Sequence, residues 1–82
     1  MPSKWKTLSG EDIVKILQMF GFEIISQKGS HIKMRRINSA GSKETLVIPN
    51  HKTVSLGTLV SINNQTSNYI AGEMLDIHFK NF

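Results

Sequence analysis

The run His31-Ile32-Lys33-Met34-Arg35 alternates strictly between polar and apolar side chains, and this limits the possible folds more than any other feature. Successive side chains of a β-strand point to opposite faces of a sheet. Ile32 and Met34 are therefore expected to face a core. His31, Lys33 and Arg35 would then share the other face, in a row about 13 Å long by strand rise. The run is best explained as one strand of a sheet that is covered on a single face.

Two more β-prone runs flank this strand. Phe22 to Gln27 precedes it, separated by Lys28-Gly29-Ser30, a connection short enough for a hairpin. Glu44 to Ile48 follows a polar turn over residues 38–43 and ends at Pro49, which cannot continue a central strand. The three runs predict an antiparallel meander.

Helical signals stand before this meander. Ser9 is a suitable N-cap, Asp12 three residues later can complete a capping box, and Leu8 can pack on Ile13 as a hydrophobic staple. Gly21 is expected to end this first helix.

Further helical signals follow the meander. Ser55 can cap a second helix, and the spacing predicts that four of its apolar residues face inward: Leu56, Leu59, Val60 and Ile62. A third helix is expected to start near Ser67, with Ile70, Met74 and Ile77 on its buried face. The order α-β-β-β-α-α describes one compact α+β domain over residues 1–82.

Charge is concentrated in one part of the chain. The net charge is +4, yet residues 28–52 alone hold six Lys or Arg against one Glu, together with two of the three histidines. A cationic surface that contains imidazoles can attract phosphates and act on them, which favours a polyanionic partner. The alternative is that these charges bind no partner and only keep the protein soluble.

Several classes of function are disfavoured. The chain has no cysteine, so disulfides and cysteine nucleophiles are absent. Its histidines have none of the spacings typical of metal sites, so neither a metal nor another cofactor is expected. The longest uncharged stretch, residues 53–72, is too polar to span a membrane, and the first residues lack the apolar core of a signal peptide. We therefore expect a cytoplasmic protein.

The three histidines carry different expectations. His31 follows Gly29-Ser30 directly, where a tight turn re-enters a strand, so its imidazole is expected to stand off the sheet. His51 lies in a loop after Pro49, and it could either line a site or cap backbone groups. His78 is expected to be an ordinary surface or half-buried residue without a role.

A set of short blocks resembles one known family. The blocks are Gly29-Ser30-His31, Met34-Arg35-Arg36, Val47-Ile48-Pro49 with His51, and Leu56-Gly57-Thr58-Leu59 with Ile62 and Gln65. Together they resemble the HicA-type (YcfA-like) mRNA-interferase toxins of toxin-antitoxin pairs, over a core from about residue 9 to residue 79. The resemblance implies a fold like that of double-stranded-RNA-binding domains, α-β-β-β-α, here with an additional C-terminal helix.

The resemblance also implies a function. It implies a metal-independent endoribonuclease that cleaves mRNA, in which the catalytic residue is His31, and a HicB-type antitoxin as inhibitor. The chain would be a monomer on its own or a hetero-oligomer with that antitoxin. Residues around His31 and on the basic segment are the expected RNA-binding set: Lys28, Gly29, Ser30, Lys33, Arg35, Lys43, His51 and Lys52.

Two alternatives remain open from the sequence. The same fold and charge would suit a non-catalytic RNA-binding module, in which the cations only position phosphates. A protein-interaction domain whose charge merely aids solubility is a weaker alternative. No general acid is evident, although His51 or a water could supply the proton.

Overall fold

A computed structural model describes residues 4–81 of the chain. Its elements, in chain order, are β1 (Lys4–Trp5), α1 (Gly10–Met19), β2 (Glu23–Lys28), β3 (His31–Ile37), β4 (Lys43–Pro49), α2 (Leu56–Thr66), α3 (Gly72–Phe79) and β5 (Lys80–Asn81). The single domain predicted over residues 1–82 therefore extends at both ends beyond the described residues.

Helix α1 begins as the sequence predicts. The Ser9 hydroxyl accepts a hydrogen bond from the Asp12 amide at 3.0 Å, and the Asp12 carboxylate accepts one from the Ser9 amide at 3.0 Å. The bond that the Ser9 amide donates to the Asp12 carboxylate, together with a smaller contribution from the Ser9 hydroxyl, lowers the pKa of Asp12 below its ordinary value because it favours the charged form. Gly21, with φ of +91°, follows the end of the helix. Ile13 and Leu17 are fully buried, so this face of α1 belongs to the core.

The predicted meander is confirmed as a three-stranded antiparallel sheet in the order β2-β3-β4. Gly29 and Ser30 form the turn between β2 and β3, and Gly29 has φ of +58°, which matches the first central position of a type II′ hairpin turn. In register, Ile32 lies opposite Ile48 and Met34 opposite Leu46. All four of these side chains are buried. They form the inner face of the sheet, which packs on the helices.

Helix α2 is confirmed, with one error in its buried face. The Ser55 hydroxyl accepts a hydrogen bond from the Thr58 amide, so Ser55 caps the helix as predicted. Leu59 and Ile62 are buried and Val60 is half-buried, but Leu56 is 59% exposed. The buried stripe is centred on positions 59, 62 and 66. Leu56 lies about a quarter turn from the centre of that stripe, at 100° per residue.

For α3, both the predicted first residue and the predicted buried face were wrong. The helix begins at Gly72 rather than near Ser67. Its buried residues are Leu75 and Phe79, both fully buried, whereas Met74 is 51% and Ile77 63% exposed. Ile70 is buried but precedes the helix. Because Ile70 is outside the helix, it does not fix the helical phase of the residues that follow.

The two short terminal strands, β1 and β5, were not predicted from the sequence. Strands β1 and β5 pair antiparallel, with Trp5 opposite Lys80. The Lys80 ammonium lies 4.7 Å from the centre of the Trp5 ring, a cation–π distance. The pair joins the two ends of the described chain.

The architecture confirms the expected α+β fold. One helix, a three-stranded antiparallel sheet and two further helices follow in order, consistent with the fold of double-stranded-RNA-binding domains with an added C-terminal helix. None of the helices formed by residues 4–81 has the length and apolar character needed to cross a membrane.

Candidate nucleic-acid interface

The sheet has an outer face, defined by the side chains of His31, Lys33 and Arg35 on β3 and by their neighbours on β2 and β4. Lys28 lies opposite His31 in the register of β2 and β3. Side chains of directly opposite residues share one face of a sheet. Lys28, one of the predicted RNA-binding residues, therefore joins the row. His31 and Lys33 are exposed, and Arg35 is half-buried.

The turn residues hold His31 at one end of the sheet. Lys28 and His31 are the strand residues that flank the turn of Gly29 and Ser30. The Ser30 carbonyl accepts a hydrogen bond from the Asn50 amide at 2.6 Å. Gly29 and Ser30 thus shape and anchor the backbone beside His31. Their backbone positions are compatible with the predicted contact to a phosphate, since both residues are exposed.

The cations of the outer face are spread along the sheet rather than gathered at His31. The Arg35 guanidinium donates through Nε to the Thr45 hydroxyl at 3.3 Å. Lys43 lies opposite Ile37, six residues from His31, which is about 20 Å at 3.3 Å per residue. Lys28 and Lys33 are consequently the cations nearest to His31 along the sheet, and Lys43 marks the far end of the same surface.

His51 and Lys52 lie outside the sheet, in the loop between β4 and α2. Both are exposed. The His51 carbonyl accepts a hydrogen bond from the Gly10 amide at 2.8 Å, and this loop borders a groove with Ser9 and Glu11. Because neighbouring Asn50 is bonded to Ser30, the loop is tied to the turn that carries His31.

Arg36 is a cation that does not belong to the outer face. It has the parity of Ile32 and Met34, so it points to the inner side. Its guanidinium bonds Glu44 through Nε at 2.7 Å and the carbonyls of Phe20 and Tyr69 at 3.0 Å each. Glu44 is itself buried. Arg36 is therefore a structural clamp, and it was not among the predicted site residues.

Two features of the outer face were not predicted from the sequence. Glu23 lies opposite Arg35 and places a carboxylate among the cations. Three exposed apolar side chains also interrupt the charged surface: Ile25, Ile37 and Val47. Ile25 sits at the bulge of β2, which no local sequence signal marks. The outer face is thus a cationic surface with apolar gaps.

The remaining histidine packs against an aromatic side chain. His78 is half-buried and its ring meets Phe20 edge to face, with 5.6 Å between ring centres. Within residues 4–81 no cluster of three or more His, Asp or Glu side chains is arranged to hold a metal ion.

Comparison with known proteins identifies the family. A family model described as the HicA toxin of bacterial toxin-antitoxin systems matches residues 10–67, well over half of the chain. The chain belongs to the HicA toxin family. The matched range runs from the start of α1 to the residue that caps the end of α2, and it includes the sheet with the cationic outer face. Searches of curated proteins and of solved structures returned no match.

Membership of the HicA family establishes a general role. HicA toxins are the toxic partner of toxin-antitoxin systems and are generally ribonucleases, so the family implies an RNA substrate and a cognate antitoxin. The resemblance drawn from the sequence blocks is therefore confirmed at the level of the family.

Proposed function

We propose that this HicA toxin is a metal-independent endoribonuclease that cleaves mRNA with His31 as its general base. The observation that carries the proposal is the row of Lys28, His31, Lys33 and Arg35 on the uncovered face of the sheet. RNA would lie along this row, and we place its cleavage in the cytoplasm, where mRNA is found.

The chemistry follows from the two kinds of group in the row. A neutral imidazole at His31 takes the proton from a ribose 2′-hydroxyl, and the 2′-oxygen attacks the adjacent phosphorus. The bond to the 5′-oxygen breaks, which leaves a 2′,3′-cyclic phosphate. Lys33 and Lys28 stabilise the negative charge that builds up on the phosphoryl oxygens. Side chains thus supply both proton transfer and charge stabilisation.

The other predicted residues would bind rather than react. Arg35 and Lys43 extend the cationic surface away from His31, so they would hold phosphates further along the strand. Gly29 and Ser30 allow the backbone to approach RNA at the turn. His51 and Lys52 would hold the RNA on the other side of that turn, and His51 is a candidate for the general acid that protonates the leaving oxygen.

We further propose that the inhibitor is a HicB-type antitoxin. The net charge of +4 suits an acidic partner surface, and burial of the outer face would remove the substrate site. The toxin would be a monomer when free and part of a hetero-oligomer when inhibited.

The decisive experiment is cleavage of a defined single-stranded RNA by the purified protein in the presence of a chelator. We expect the wild type to cleave and the His31→Ala variant to be slower by at least about 100-fold, the range in which general-base catalysis contributes. Binding of RNA should change by less than about threefold, because His31 is one contact among several cations.

Two controls separate proton transfer from charge. An RNA with a single 2′-deoxy residue at the cleaved position should bind but stay intact, since it lacks the nucleophile. His51→Ala tests the candidate general acid separately, and it should retain more activity than His31→Ala because a water can also protonate the leaving oxygen. If the wild type binds RNA without cleaving it, the protein is an RNA-binding module and the catalytic assignment is wrong.

A further inference from the structure

The two edges of the three-stranded sheet differ. Strand β2 has a register shift between Ile24 and Ser26, so its edge is bulged. Strand β4 pairs with β3 without interruption from Lys43 to Pro49. A bulge is one of the devices that prevent an edge strand from pairing with another chain. The edge of β4 lacks this protection.

The hydrogen bonds at the two ends of the ladder show which backbone groups of β4 are used. The Asn50 amide donates to the Ser30 carbonyl at one end, and the Asn38 amide donates to the Ser42 carbonyl at the other. In an antiparallel pair, residues alternate between exchanging hydrogen bonds with the partner strand and pointing away from it. The even-numbered residues of β4 are therefore the ones that bond to β3.

The odd-numbered residues Lys43, Thr45 and Val47 consequently point their amide and carbonyl groups away from β3. Pro49 shares this parity, and having no amide it leaves no donor unused there. The Pro49 carbonyl also lies close to Gly10, so the start of α1 covers that end of the edge. Within residues 4–81 no other strand pairs with β4. The backbone groups of these three alternate residues thus have no strand partner and can pair with an added strand.

The side chains along this edge define what can pair with it. Lys43 is exposed and Val47 is 47% exposed, and both lie on the outer face. The carboxylate of β4, Glu44, lies on the inner face and is bonded to Arg36. A strand added at this edge would therefore place side chains beside a cation and an apolar group, with Arg35 one strand further in. Opposite charge and apolar contact both stabilise such cross-strand pairs.

We propose that the free edge of β4 binds an extended segment of the antitoxin by strand addition, and that the segment carries acidic and apolar residues on its outer side. A second copy of this chain is the poorer match, because each copy carries a net charge of +4. RNA has no peptide backbone with which to continue a sheet. The inference rests on the antitoxin partner of the proposed function, and adds where and how it binds.

Amide hydrogen exchange provides a direct test. The probe is the protein product of the reading frame adjacent to the toxin gene, purified in complex with the full toxin chain. In the free toxin we expect the amides of Thr45 and Val47 to exchange quickly and those of Leu46 and Ile48 to be protected. In the complex, the Thr45 and Val47 amides should gain at least about tenfold protection, since strand pairing removes them from water.

A pair of variants at one position tests the backbone contact separately. Val47→Pro removes an outward amide without removing a bond to β3, and should weaken antitoxin binding at least about tenfold. Val47→Thr keeps that amide and a β-branched side chain, and should bind within about threefold of the wild type. Circular dichroism checks that both variants are folded, and the exchange measurement on the wild type does not depend on either variant.

Several outcomes would overturn the inference. It fails if the complex forms while the Thr45 and Val47 amides stay unprotected, or if Val47→Pro binds as well as Val47→Thr. Protection in the free toxin that rises with its concentration would assign the edge to a second copy. Failure of the adjacent product to bind also rejects the inference, whereas RNA cleavage and its dependence on His31 are measured without antitoxin and would be unaffected.

Discussion

Lys33 and Lys15 are both exposed lysines, but only Lys33 lies on the outer face of the sheet. Each phosphate that a protein neutralises releases counterions, so the logarithm of affinity for a single strand falls with the logarithm of salt by about 0.7 per contact. We expect Lys33→Ala to weaken RNA binding and to reduce that slope by about 0.7. Lys15→Ala, on α1, should leave the slope unchanged.

Fluorescence anisotropy with a labelled RNA at several salt concentrations measures these slopes. To keep cleavage from obscuring binding, both variants are made in the His31→Ala background. Equal slopes for the two lysine variants would show that RNA does not lie along β3.

Arg36 differs from its neighbour Arg35 although both are arginines of one strand. Arg36 bonds Glu44 and two backbone carbonyls from the inner face, whereas Arg35 bonds Thr45 on the outer face. Removal of one partner of a buried ion pair leaves the other charge uncompensated. We expect Arg36→Ala to lower the free energy of unfolding by about 3 kcal/mol, and Arg35→Ala by about 1 kcal/mol or less.

Urea denaturation of the two variants measures this difference. The RNA-binding defect should show the opposite order, since Arg35 is on the outer face. Similar unfolding free energies for the two variants would contradict the clamp role of Arg36.

At the scale of elements, the sequence predicted those whose signals are local. The capping box of α1 and the alternation of β3 each lie within a few residues, and both features are as expected. The face of α3 was mispredicted because Met74, Leu75, Ile77 and Phe79 offer two apolar stripes. Only packing against the rest of the protein selects between them, and local spacing does not contain that information.

In the candidate site, too, local sequence patterns predicted some features, whereas others depend on tertiary structure. The row on β3 follows from alternation alone, and the hairpin turn adds Lys28 by register. The bulge at Ile25 and the separation of Lys43 from His31 depend on pairing between strands. The position of His31 after the turn and in the row on β3 set it apart from the other two histidines, and the family resemblance added the catalytic role.

The corrected face of α3 has a measurable consequence. Leu75 is fully buried and Met74 is 51% exposed, although they are adjacent in sequence. Large-to-small substitution in a core removes apolar contact and leaves a cavity, so Leu75→Ala should cost about 3 kcal/mol of unfolding free energy. Met74→Ala should cost less than about 0.5 kcal/mol, as expected for a surface position.

Thermal and urea unfolding of both variants decides between the two faces. If Met74→Ala lowered the free energy of unfolding more than Leu75→Ala, the buried face of α3 would be the one predicted from the sequence.

At the scale of the whole molecule, backbone hydrogen bonds join α1, the loop after β4 and the turn that carries His31. The Gly10 amide donates to the His51 carbonyl, and the Asn50 amide donates to the Ser30 carbonyl. A Cβ placed on Gly10 would overlap the Pro49 carbonyl oxygen and lie 2.8 Å from the Asn50 Cα. A side chain at position 10 therefore requires movement of the junction at which α1, the loop after β4 and the His31 turn meet.

We expect Gly10→Ala to lower the unfolding free energy by about 1–3 kcal/mol, the usual range for overpacking, and to slow RNA cleavage through displacement of the His31 turn. Gly57→Ala is the matched control, because a Cβ there meets no atom within 4 Å and alanine favours a helix. That variant should be as stable as the wild type or more so. Amide chemical shifts of Ser30 and His31 should move in Gly10→Ala only. If Gly10→Ala leaves those shifts and the cleavage rate unchanged, the junction does not position the candidate site, and His31 depends on its hairpin alone.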